Sequence, residues 1–365
     1  MPSPTRVALM LRPTSFVGRH VSRALRDAGW EVHGVDVEEA PRRRTSPRLV
    51  SSTGATLPLD ADLVVSAIVR ASDVGWQRRF VHENVDPVRA AVRAVEQLPS
   101  ARLVHVSTTD VYGLRDFHGE CEERLPLAVR TRNPYPRSAI AAEHEIARGL
   151  QRERYTILRP GAIWGSPDAE LVRRTLDFLR RSSRVPFFGT WRGRNVWPFV
   201  HVRNLAQAVR AVADDPDACG RCINVIDPER TTVRTFMMSI ARVAFPDRPW
   251  REAVLPYRLL AAHASLNTAV ANLLDLERPL LDPSLYALHS LDSNLEFDNR
   301  RLLAVFERQS IRPLSWDDGL QVLARELVRP AGTSPGRTLP ARDHRVGPPG
   351  AEPKGHSHAA RIAHP

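Results

Sequence analysis

Two short runs of this 365-residue chain set hydroxyls, a carboxylate and a phenol close together in sequence: Val106-Ser107-Thr108-Thr109-Asp110-Val111-Tyr112-Gly113 and Tyr135-Pro136-Arg137-Ser138-Ala139. Such groups can exchange a proton with a substrate oxygen. An unassisted phenol titrates at about 10, so Tyr135 needs a neighbouring cation to work near neutral pH. A lysine four residues on would share its helix face, but residue 139 is alanine and Lys354 is the only lysine in the chain. Arg137, two residues on, points to another face. A phenol at residue 135 thus has no lysine one helical turn on to lower it.

Other chemistries find less support. Cys121, Cys219 and Cys222 are too few for a disulfide framework and suit a reducing compartment. Cys219 and Cys222 have the spacing of half a zinc site without a second pair, and no metal is expected. His356, His358 and His364 lie in a Pro/Gly-rich stretch that reads as solvated low complexity. About four of the eleven excess positive charges fall in residues 329–365 and the rest are scattered, which argues against a nucleic-acid partner. No stretch reaches the roughly 18 apolar residues of a membrane helix, and Met1 to Arg6 lead straight into an apolar strand, so a cytoplasmic protein is expected.

These residues need elements to place them. Arg6 to Leu11 read as a strand, Phe16 to Ala28 as a helix and Glu31 to Asp36 as a second strand ending on a carboxylate. Strands at Ala61 to Ile68, Ala101 to Val106 and Tyr155 to Leu158 alternate with helices near Asn84 to Gln97 and Tyr135 to Leu150. That rhythm predicts an α/β fold, a doubly wound parallel sheet with ligands at the carboxyl ends of its strands. Beyond Pro160 the pattern loosens into the strands Val196 to Val202 and Cys222 to Val225, the helix Asn204 to Ala213, and amphipathic lobe helices or a lid over Tyr257 to Leu281. The expected division is 1–165 for a dinucleotide-binding core, 166–328 for a substrate lobe interleaved with late core elements, and 329–365 for a basic tail without fixed structure.

In this order, Leu11-Arg12-Pro13-Thr14-Ser15-Phe16-Val17-Gly18, Asp36, Asn84-Val85, the Ser107 to Gly113 run, the Tyr135 run, Leu158-Arg159-Pro160-Gly161, Phe199-Val200-His201-Val202 and Asp298-Asn299-Arg300-Arg301 form a pattern. Over roughly residues 5 to 327 the chain resembles the extended short-chain dehydrogenase/reductases, the NAD-dependent epimerases and dehydratases. Leu158 to Ile163 and Asn204 are similar to the hydroxysteroid dehydrogenase-like branch. The resemblance implies a Rossmann-type fold, an NAD(P) cofactor, a small-molecule substrate and often a homodimer formed through the helix carrying Tyr135.

It also implies site residues. Arg12, Ser15, Phe16, Val17 and Gly18 stand where the family's Gly-rich loop holds the pyrophosphate, and Gly18 alone keeps a glycine. Ser15 is expected to crowd that phosphate or donate to it, and Arg12 to neutralise it at the loss of the unusual backbone turn. Asp36 stands where a carboxylate takes the adenosine ribose, favouring NAD, although Arg42, Arg43 and Arg44 follow. Asn84 belongs to the same cofactor set. Tyr135 and Thr108 match the groups at the reacting oxygen, and Asp110 an acid of the sugar dehydratases. Arg194 and Trp197 are the substrate candidates, with Trp197-Pro198 replacing an Arg-Asp pair that grips a diphosphate. The reaction implied is epimerase, dehydratase or ketoreductase chemistry on a nucleotide-sugar or an apolar polycyclic or polyketide-like alcohol or ketone. Ala139, Arg12 and Ser15 leave open a non-redox or pseudoenzyme descendant with a lost or repurposed site.

Overall fold

The computed structural model describes residues 5–38, 48–58, 60–68, 70–121, 123 and 125–328. In chain order the elements are β1 (Val7–Leu11), α1 (Phe16–Asp27), β2 (Glu31–Glu38), β3 (Arg48–Ser51), β4 (Leu63–Ala67), α2 (Gln77–Phe80), α3 (Asp86–Gln97), β5 (Arg102–Val106), β6 (Phe117–Cys121), α4 (Pro134–Gly149), β7 (Tyr155–Pro160) and β8 (Ala162–Trp164). They continue with α5 (Glu170–Arg181), β9 (Arg184–Phe187), β10 (Phe199–His201), α6 (Val202–Ala213), β11 (Cys222–Val225), α7 (Val233–Ala244), β12 (Arg251–Val254), α8 (Tyr257–Leu273), α9 (Leu285–Leu291), β13 (Leu295–Phe297), α10 (Arg300–Arg308) and α11 (Trp316–Val328).

Seven strands form the central sheet in the order β11-β7-β5-β4-β1-β2-β3. All pairs are parallel except β2 with β3. Every residue of β1 is buried, as a strand covered on both faces requires. Ala8 and Met10 join a core built with α1, α6 and α10, while Val7, Leu9 and Leu11 join one built with α3 and α4. The order of successive strands reverses between β1 and β4, which is where doubly wound sheets take their ligands, at the carboxyl ends beside Arg12 and Ile68.

A third core gathers Trp164, Leu176, Phe187, Phe199, Phe236 and Leu323 from α5, α7, α11 and short strands. The expected strand Val196 to Val202 is shorter, Phe199–His201, because His201 turns the chain by capping α6 through its Nδ1. The antiparallel edge β3 carries no period strong enough to be read beforehand. Among the described residues no helix is long and apolar enough to cross a membrane, no group of side chains could hold a metal ion, and Cys219 and Cys222 are free.

Candidate active site

The turn after β1 keeps its unusual backbone despite losing its glycine. Arg12 adopts φ 50, with its N–H donating to the Val35 carbonyl at 2.9 Å and its carbonyl accepting from Ser15 N at 3.0 Å. The expected loss of the turn does not occur; these bonds offset the roughly 1–2 kcal/mol that a left-handed residue with a Cβ costs. Gly18 is required by close approach, since a Cβ there would lie 2.3 Å from the Arg12 carbonyl oxygen. Ser15 caps α1, its Oγ accepting from Gly18 N at 3.0 Å, so its hydroxyl sits over the helix N-terminus and keeps its own proton to donate. Phe16 and Val17 turn their side chains into hydrophobic cores, Phe16 stacking edge-on to His20. Asp36 is exposed on β2, which runs on two residues further than expected, to Glu38. Arg42, Arg43 and Arg44 lie outside the described residues, as does the 329–365 tail.

Asn84 does not open α3. It is buried in a π-helical turn, residues 81–85, ahead of that helix. Its amide accepts from Arg70 N at 2.9 Å and donates to Arg70 O at 3.0 Å and to Ser138 Oγ at 2.9 Å. Asn84 thus clamps the loop after β4 to the helix carrying Tyr135, and its side chain acts through that loop.

At the end of β5, buried Ser107 donates to Glu143 Oε1 at 2.7 Å, and Arg159 grips the same carboxylate through Nε at 3.0 Å and Nη2 at 2.6 Å. Both members of this ion pair are 4% exposed, and it fixes α4 on the sheet. Asn133 caps α4 by accepting from Tyr135 N at 2.9 Å, which sets the phenol at the first turn. Thr108 meets it from the sheet: its Oγ1 accepts from Asp110 N at 3.2 Å and donates to Asp110 Oδ2 at 3.3 Å.

Thr108, Asp110 and Tyr135 therefore come together. Burial, and then the Asp110 carboxylate, push the Tyr135 phenol well above the ordinary tyrosine range, against a hydrogen bond to Thr108. Burial also raises Asp110, to about 6, against hydrogen-bonding contacts from Tyr286 and Thr108. Asp110, rather than Tyr135, is thus the group poised near neutrality. Ala139 is fully buried among Val111, Tyr112, Ile140 and Phe297, so the position one turn after Tyr135 belongs to a packed apolar core.

Tyr286 was not legible as a site residue. It comes from α9, where Ser284 caps a seven-residue helix, and no motif marks it. Burial, Asp110 and Tyr135 all raise its phenol. Its hydroxyl is buried beside Asp110. α8 and α9 are strapped over the site through the loop after β4: Gly75 N donates to Asn272 Oδ1 at 2.9 Å, Trp76 Nε1 to Asn272 O at 2.7 Å, and Ser284 Oγ to Asp73. The segment Tyr257 to Leu281, expected as amphipathic lobe helices or a lid, forms α8 and the chain leading to α9, both tied to the loop after β4.

Of the substrate candidates, Trp197 is half-buried against Phe199 and donates from Nε1 to Ser290 O at 2.8 Å, tying it to α9. It lines a cavity of about 470 Å³ together with Asp227, Glu229, Arg230, Glu296 and Asp298. Arg194 is exposed and lines neither this cavity nor a second of about 590 Å³, where Arg192 stands beside Tyr257, Arg258 and Asp292. Neither cavity includes Thr108, Asp110 or Tyr135.

Known proteins share this fold. UDP-glucuronic acid 4-epimerase from Bacillus cereus, solved with UDP-glucuronic acid and NAD, is 16% identical over 88% of this chain and 98% of its own, with a TM-score of 0.59. A human epimerase family protein solved with NADPH is 16% identical over 88% and 99%, at 0.60. A dTDP-glucose 4,6-dehydratase from Bacillus anthracis, solved with NAD, is 14% identical over 88% and 96%, at 0.58. At such identities the likeness establishes the fold. No curated protein matches the sequence. The model of one family, described as NAD dependent epimerase/dehydratase, matches residues 13–225, more than half of the chain. With the Thr108 run and Tyr135 both inside that span, the chain belongs to the NAD-dependent epimerase/dehydratase family, the extended short-chain dehydrogenase/reductases.

Proposed function

We propose that the protein is a nicotinamide-dependent oxidoreductase acting on an alcohol or ketone, with Asp110 as its proton-transfer group. The observation that carries this reading is the cluster of buried Thr108 with half-buried Asp110 and Tyr135, in which Asp110 alone is brought to about 6. The crevice fits the adenosine half of a dinucleotide: Arg12 holds the turn, Gly18 lets loop and helix close up, and Asp36 offers an open carboxylate to ribose hydroxyls, favouring NAD over NADP. Residues 1–165 would hold the cofactor and 166–328 most of the substrate. A bound nicotinamide supplies the hydride acceptor or donor.

In the oxidising direction the Asp110 carboxylate accepts the substrate hydroxyl proton; in the reducing direction the protonated carboxyl returns it to the carbonyl oxygen. Tyr135 stays protonated and donates a hydrogen bond to that oxygen beside Thr108. Acidic residues outnumber arginines around the cavity at Trp197, and Arg230 there is paired with Glu296. This favours a neutral alcohol or ketone over a nucleotide-sugar diphosphate. A cofactor-free descendant is the second reading, favoured by Ala139 in the core and by Ser15 over the helix N-terminus.

The test is NADH-dependent reduction of a panel of neutral ketones across pH. Turnover is expected to fall with an apparent pKa near 6, and Asp110→Asn should lower it by roughly 10²–10⁴-fold. Unchanged turnover in Asp110→Asn would overturn the assignment.

A further inference from the structure

α8 turns an apolar stripe to solvent. Leu259, Leu266 and Leu273 are 70%, 68% and 77% exposed. Ala262 and Ala269 are exposed between them. Leucine every seventh residue, each of the first two followed three positions later by alanine, is the a and d pattern of a heptad seam. The opposite face is already engaged: Ala264, Asn267 and Ala271 are buried, and Thr268 Oγ1 accepts from Leu285 N at 2.8 Å. The stripe is therefore held outward. Val254, Leu274, Leu280 and Leu281, 60–64% exposed, add further apolar surface at the helix ends. Arg258 is the only arginine, lysine, aspartate or glutamate on the helix. Monomers rarely expose apolar patches beyond a few hundred Å².

We infer that α8 is the interface of a homodimer, packed antiparallel against α8 of a second copy about a twofold axis crossing the middle of the helix. A second copy fits because the stripe complements itself. When two such helices run antiparallel, the leucines of one fall opposite the alanines of the other, large against small, so the backbones approach closely and each patch buries its own image. The charges agree as well, since antiparallel packing sets Arg258, near the helix N-terminus, against the negative C-terminal end of the partner helix. The outer face of α4 offers no such surface. It exposes Arg137, His144 and Arg148, and the Arg89–Glu145 ion pair at 2.7 Å bridges it to α3. The interface drawn here is thus distinct from the family-based expectation at the Tyr135 helix, and it is independent of the proposed reaction.

Sedimentation velocity of the full chain across micromolar concentrations tests this. A dimer is expected, with Leu266→Glu raising its dissociation constant roughly a hundredfold or more and Leu259→Glu acting in the same direction. Both variants should keep the wild-type circular dichroism spectrum, because these side chains face water in the monomer. Arg148→Glu on α4 should leave the dimer intact. A chain that stays monomeric overturns the inference, as does a dimer that survives Leu266→Glu. A monomer that binds phosphatidylcholine vesicles through this stripe also overturns it and assigns the surface to lipid.

Discussion

At the residue scale the site trades one cation for a buried carboxylate. A lysine beside Tyr135 would lower the phenol; without it, burial and Asp110 raise it instead. The Tyr286 hydroxyl pulls Asp110 down from where burial alone would hold it. Tyr286→Phe should therefore move the apparent pKa of turnover above its wild-type value near 6; no movement would mean that Tyr286 does not couple to Asp110. Ala139→Lys should not rescue the missing cation, because the side chain enters a filled apolar core. Overpacking costs about 1–3 kcal/mol and burying the charge costs more, to be read as a fall in melting temperature. Thr108, Asp110 and Tyr135 could be read from sequence because their motif is contiguous. Tyr286 could not, since it reaches the site only through the packing of α9 on the loop after β4. The left-handed Arg12 was also illegible, because an arginine at that φ depends on hydrogen bonds from β2 and Ser15 that no local propensity encodes.

At the scale of elements, the first βαβ unit and α4 hold the account together. Gly18→Ala should be destabilising by about 1–3 kcal/mol, as its Cβ would press on the Arg12 carbonyl, whereas Arg12→Gly should be tolerated and modestly stabilising. Denaturant unfolding of the two variants separates these effects. Glu143→Ala should cost roughly 3–5 kcal/mol by leaving the Arg159 guanidinium buried without its carboxylate. Strand and helix period placed β1, α1, β5, α4 and β7 within a few residues, because buried parallel strands and amphipathic helices write their burial into composition. The edge β3 and the π-helical turn before α3 escaped, being set by tertiary contacts such as the Asn84 clamp.

At the scale of the whole molecule, buried ionisable groups link folding to pH. Burial lowers His20 and His105 to about 4 and His201 to about 3, from the ordinary histidine value of 6.5. Their stabilisation is present above 6.5 and is lost as pH falls through those values. Asp110 and Asp227, both raised to about 6 mainly by burial, act in the opposite sense, contributing stability that is lost as pH rises toward 6. Three histidines against two carboxylates leave about one net proton taken up on unfolding between pH 4 and 6, worth roughly 3 kcal/mol. The melting temperature should therefore drop from pH 7 to pH 4.5; a rise would show that the carboxylates dominate.

The most direct test of the central claim, that this altered crevice still takes a nicotinamide dinucleotide, is a calorimetric titration of the purified chain with NAD(H) and NADP(H). Binding of both forms of NAD is expected, tighter than NADP and weakened by Asp36→Ala, which removes the ribose carboxylate. No heat of binding at millimolar dinucleotide would contradict the account and leave the cofactor-free reading standing.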